Sequence, residues 1–111
     1  MTALPADHPV ERQLAAYNDH DLGRFVACFA PACRLTKADG TVRAEGTDEL
    51  RRIYTPVFAI EGRRAEVVNR IVVGDWVVDH ERVHSAAGES FDALMTYHLV
   101  DGEIVEMRSL D

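Results

Sequence analysis

Apolar positions change their period midway along the chain. Over the first half they recur every three to four residues, the spacing of helices; from residue 63 onward they alternate, the spacing of strands. From Pro9, the residues Val10, Leu14 and Tyr17 fall at i, i+4 and i+7, one stripe on a helix ending near Asn18. The following NDHD breaks that helix and offers Asp21 as the cap of a second one, with Leu22, Phe25, Val26 and Phe29 on one side and Pro31 as its stop. Two short extended pieces at 33–37 and 41–44 flank the turn Ala38-Asp39-Gly40. Gly46 and Thr47 open a third helix with Leu50, Ile53, Tyr54, Val57 and Phe58 along its apolar side, bent or shortened by Pro56.

The rest reads as four long strands, RAEVVNRIVV, WVVDHERVHS, ESFDALMTYHLV and EIVEMRSLD, joined by GD, AAG and DG. On the second of them Trp76, Val78, His80, Arg82 and His84 share one face, and Val77, Asp79, Glu81 and Val83 share the other. Neither face is cleanly apolar, which predicts a core on one side and a pocket or a partner subunit on the other. On the third strand Phe91, Ala93, Met95, Tyr97 and Leu99 form an apolar set expected to face the helices. A sheet this long, following a helical half, is expected to curl around something, either solid core or a cavity.

Length and charge narrow the classes. A chain of 111 residues with an apolar fraction of 47% supplies one core, so residues 1–8 read as a flexible arm and 9–111 as a single domain. The net charge of −7 argues against nucleic acid and anionic membrane as partners, because both demand clustered basic residues. Cys28 and Cys33 have neither CxxC spacing nor further cysteines around them, which suits a reducing compartment. With no membrane-length apolar run and no leader-like start, the expected location is the cytoplasm.

Candidate chemistry gathers on the second long strand. If Asp79 and Glu81 share an interior face, the pair raises one of the two pKa values and supplies an acid/base pair; the structural alternative is cross-strand ion pairing with Arg70 or Arg108 at a dimer face. His80 points the other way unless a bulge intervenes, and is a candidate proton carrier near neutral pH. Either Asn69 or Arg70 faces inward from an otherwise apolar strand, and Arg70 is the stronger partner for a buried carboxylate. Tyr17, Tyr54, Arg70, Met95 and Tyr97 are candidate ligand-binding residues, each tyrosine needing a hydroxyl partner when buried. No metal motif and no phosphate-binding glycine loop is present, so no metal and no cofactor is expected.

The order helix, helix, hairpin, helix, long sheet resembles the nuclear transport factor 2-like superfamily, which includes ketosteroid isomerase and the SnoaL-like polyketide cyclases. The matching stretches are AAYNDHDLGRFVACFAPACRL at 15–35, EGTDELRRIYTPVF at 45–58, VGDWVVDHERV at 73–83 and VDGEIVEMRSL at 100–110. The resemblance implies an α+β, cone-shaped fold of three N-terminal helices packed on a strongly curved, mainly antiparallel sheet. It also implies a homodimer formed through the sheet. In ketosteroid isomerase-like members a tyrosine, a carboxylate base and a protonated acid do the chemistry; their positions fall here at Gln13, near Lys37 and near Met95, and none of the three residue types is kept. The function implied is binding of a small hydrophobic metabolite in the cone, with isomerisation, cyclisation or dehydration by cofactor-independent acid/base chemistry. His80, Asp79 and Glu81 are the catalytic candidates. The alternative is a noncatalytic binding or homodimerisation module.

Overall fold

The computed structural model describes residues 1–110; the expected last residue of the domain and of the fourth long strand, Asp111, lies outside the described residues. Helix α1 spans Pro9–Asn18, with Pro at its first position and the His8 Nδ1 accepting the Val10 amide at 3.1 Å. Helix α2, Leu22–Val26, is capped by Asp21, whose carboxylate accepts the Arg24 amide at 3.1 Å. Helix α3, Thr47–Phe58, carries Pro56 in its last turn, where the amide it lacks removes one helical hydrogen bond shortly before the helix ends. The strands are β1 Phe29–Thr36, β2 Val42–Glu45, β3 Arg64–Val73, β4 Trp76–His84, β5 Ser90–Val100 and β6 Glu103–Ser109.

One sequence expectation fails early in the chain. Phe29 and Pro31 belong to β1 rather than to the end of α2. Pro31 fits there because β1 and β6 lose register between Phe29 and Arg34, so no ladder bond is demanded of its missing N–H.

All six strands form one mixed sheet in the order β2-β1-β6-β5-β4-β3, with β1 and β6 parallel and every other pair antiparallel. The expected cone of strongly curved sheet is not what forms: β2 and β3 end the sheet as separate edges, and it neither curls tightly nor closes. The physical reason lies in the helices. Together α1, α2 and α3 lie over one face, where Val10, Ala16, Phe25 and Leu50 pack against Leu35, Val77, Tyr97, Ile104 and Met107. That covering buries the inner face without the sheet wrapping on itself.

A bulge on β3 sets which residues face in. Val67 pairs with Glu81 and Asn69 with His80, leaving Val68 as the extra residue. The alternation therefore flips: Ala65 and Val67 point inward before the bulge, Arg70 and Val72 after it, while Ile71 and Val73 are turned to the exposed side. Two contacts fix the start of β3 to the end of α1. Asn18 brackets the Ala65 backbone, accepting its N–H at 2.7 Å and donating to its carbonyl at 3.0 Å, and His20 Nε2 lies 2.5 Å from the Arg63 carbonyl oxygen. The turn before β3 needs glycine. Gly62 has φ +69°, and a Cβ there would come within 2.6 Å of the Ala86 nitrogen.

Candidate functional site

Between the helices and the inner sheet face lies a pocket of about 230 Å³, to which every helix and every strand contributes a wall residue. Part of its wall is aromatic, formed by Tyr17, Phe25 and Tyr54 with Phe58 packed behind them. Tyr17, Phe25, Tyr54 and Phe58 form one cluster, with ring centroids 4.6 Å apart for Phe25 and Tyr54 and 5.4 Å for Tyr17 and Phe58. Leu35, Ile53, Ala93, Met95 and Met107 add aliphatic surface, so the pocket is a hydrophobic one.

Among the described residues the single acid on this wall is Glu81, only 8% exposed. The Tyr97 hydroxyl donates to its Oε2 at 2.9 Å, and Gln13 Nε2 donates to the Tyr97 oxygen at 3.3 Å and to the Val10 carbonyl at 3.0 Å. Burial pushes the Glu81 carboxyl up to about 7, with the Asp79 charge acting the same way and the Tyr97 hydrogen bond and Arg70 acting against it. Burial likewise raises the Tyr97 and Tyr54 hydroxyls above the ordinary phenol value, so both are donors at neutral pH. Tyr17 is raised by burial too, an effect that the neighbouring Arg63 guanidinium partly offsets.

Asp79 shares the inner face of β4 with Glu81 but plays a different part. It is fully buried and meets Arg70 in a two-pronged pair, Nε to Oδ1 at 2.6 Å and NH2 to Oδ2 at 2.9 Å, while the third guanidinium nitrogen reaches Glu11 on α1. Neither Asp79 nor Arg70 lines the pocket. Of the two arginines weighed from the sequence as carboxylate partners, Arg70 takes Asp79, and Arg108 instead donates to the Thr36 hydroxyl at 3.1 Å.

His80 lies on the opposite, outer face, where its Nε2 is 2.8 Å from Asp92. Arg82 donates to the same carboxylate, and these hydrogen bonds hold Asp92 down at about 2. The sequence candidates therefore divide by position. Glu81, Tyr17, Tyr54, Met95 and Tyr97 come together in the pocket, Asp79 and Arg70 form a buried ion pair behind it, and His80 is on the other side of the sheet.

Sequence reasoning did not select Gln13, Arg43, Arg63 or Phe91 as site residues, yet all four line the pocket. Gln13 had a signal, since it lies one turn from Tyr17 on α1. The arginines had none, coming from a short edge strand and from a turn. Among the described residues no group of three or more His, Cys, Asp or Glu side chains is placed to hold a metal ion, and no helix is long and apolar enough to cross a membrane.

This arrangement of elements has relatives. The family model of the SnoaL-like domain matches residues 10–107. The chain belongs to that family. Among solved structures, this SnoaL-like chain is similar to an uncharacterized cystatin-fold protein from Novosphingobium aromaticivorans, at 20% identity and a TM-score of 0.85 over 98% of this chain and 100% of the other. It is also similar to a hypothetical protein with a ketosteroid isomerase-like fold from Catenulispora acidiphila, solved in complex with trimethylamine, at 15% identity and a TM-score of 0.74 over 93% and 84% of the two chains. A third is TerC co-crystallized with polyporic acid, at 18% identity and a TM-score of 0.73 over 92% and 87%. At such identities the likeness establishes the fold and leaves the reaction open. No curated protein is similar to this SnoaL-like chain in sequence.

Proposed function

We propose that this SnoaL-like protein binds a small, largely apolar metabolite in its aromatic pocket and moves a proton on it without a cofactor, in an isomerisation, cyclisation or dehydration. The observation that carries the reading is Glu81: a carboxyl buried in an apolar wall, oriented by Tyr97 and Gln13, and raised to about 7. Near that value a carboxyl is present in both forms at neutral pH, the condition for giving and taking a proton in one cycle. In the deprotonated form Glu81 removes a proton from carbon next to a carbonyl; the charge develops on the carbonyl oxygen, and return of the proton to a different atom completes an isomerisation. Asp79 is a positioning residue here, since its pairing with Arg70 keeps a second charge fixed behind Glu81. That two structural relatives were crystallised with small organic molecules, trimethylamine and polyporic acid, is in keeping with a ligand in this fold.

Exchange of the acidic C–H protons of tetralone in deuterated water tests the reading. The expected result is saturable acceleration by the protein, lowered about a hundredfold or more by Glu81→Gln. Saturable binding of tetralone without accelerated exchange would instead favour the noncatalytic binding module.

We also infer a homodimer through the outer sheet face, where Ile71, Val73 and Trp76 are 58%, 70% and 47% exposed and Trp76 stacks flat on His98 at 4.0 Å. Sedimentation measures it directly. The free, buried Cys28 and Cys33 suit a reducing cytoplasm as its location.

A further inference from the structure

We infer that the pocket is built for an organic anion, a small carboxylate with an apolar body, held at the rim by Arg63 and Arg43. The inference rests on the ligand-binding reading above and adds the ligand's chemical class.

Charge is the first ground. The chain as a whole carries −7, yet among the described residues the basic groups of the pocket wall are Arg43 and Arg63 and its one acid is Glu81. Glu81 is already engaged by Tyr97. Among the described residues neither arginine has a carboxylate within ion-pair distance; Arg12, Arg34, Arg51, Arg52 and Arg64 have none either, but Arg43 and Arg63 are the two that line the pocket. Two arginines to one acid on a mainly hydrophobic wall, with Arg63 also hydrogen-bonded to Tyr17, favour a ligand that brings the opposite charge.

Geometry is the second ground. Arg63 Nε is buried and, among the described residues, is the one buried side-chain nitrogen or oxygen without a hydrogen-bond partner. A buried N–H of this kind costs free energy until something accepts from it. Its backbone is held in place by the Gly62 turn and by the contact with His20, and its guanidinium lies over the Phe91 ring at 5.5 Å from the centroid. The donor is thus fixed before any ligand arrives, which lowers the ordering cost of binding. A pocket of about 230 Å³ lies below the roughly 300–1,000 Å³ of drug-sized sites, so the body of the ligand is small.

Calorimetric titration with naphthoate and with naphthylmethanol, which share a ring system and differ in charge, tests the inference on the full chain. Naphthoate is expected to bind about tenfold or more tighter than the alcohol. Arg63→Gln should reduce that preference to near unity, and Arg43→Gln, an exposed edge-strand change that leaves the fold intact, should reduce it in part. Equal binding of the two probes to the native protein, or a preference that survives in both variants, would overturn the anion inference while leaving the pocket as a ligand site. Binding of neither probe would overturn the ligand-binding reading together with it.

Discussion

The two faces of β4 carry ionisable side chains into opposite circumstances. Inward, Asp79 and Glu81 are buried two residues apart on the strand; outward, His80 and Arg82 share Asp92 in contact with solvent. On the outer face water screens the charges, and such pairs contribute little to stability. On the inner face each charge must be matched or neutralised. Asp79 is matched by Arg70, and Glu81 responds by holding its proton more tightly. Ionisable groups therefore keep their ordinary character on one side of the strand and are strongly perturbed on the other, and the difference comes from what covers them.

The largest effect is expected where a buried charge loses its partner. Arg70→Met should destabilise the protein by about 3–5 kcal/mol in urea unfolding, because Asp79 is left buried and unpaired. Adding Asp79→Leu should recover much of that loss, since the pair is then absent rather than broken.

Next in size is the pH dependence that Glu81 imposes. Its carboxyl is raised from 4.5 to about 7 in the folded protein, so between those values the native state holds a proton that the unfolded chain has released. The associated stability is fully present below the unfolded value and is lost as pH rises through the folded one. Relative to Glu81→Gln, which does not titrate, the native protein should lose about 3 kcal/mol between the acidic and alkaline ends of this window. Urea midpoints of both proteins across the window measure it, and parallel curves would contradict the burial account.

The smallest effect on stability is expected from the outer face. Ile71→Lys should change monomer stability by about 0.5 kcal/mol or less, since the side chain is already 58% exposed. The same substitution should convert a dimer to monomer in sedimentation, and an unchanged mass would remove the sheet-face dimer.

Much of this architecture was legible in the sequence. The first helix, the third helix and the four long strands lie where the periods of 3.6 and 2 placed them, and Asp79 and Glu81 were readable as neighbours on one face. Which face turns inward was not readable, because both mix charge with apolar groups. The bulge at Val68, which brings Arg70 inside to meet Asp79, was not readable either, since a bulge leaves no mark in an alternating pattern. The openness of the sheet was misjudged for a related reason: the length of the strands suggested wrapping, whereas the helices supply the cover. Within the site, Glu81, Tyr17, Tyr54, Met95 and Tyr97 were named from sequence and meet in the pocket; Arg63 was not, since its place depends on the turn at Gly62 and on a contact from His20 across the fold.

The central claim is that Glu81 is a buried carboxyl poised near neutrality, and the most direct test is its own titration, followed by the side-chain carboxyl ¹³C shift in protein labelled at glutamate and assigned with Glu81→Gln. A midpoint at about 7 is the result the structure predicts. A midpoint near the ordinary 4.5 would mean that Glu81 is solvated and ionised at neutral pH, and would contradict its assignment as the proton-transfer group.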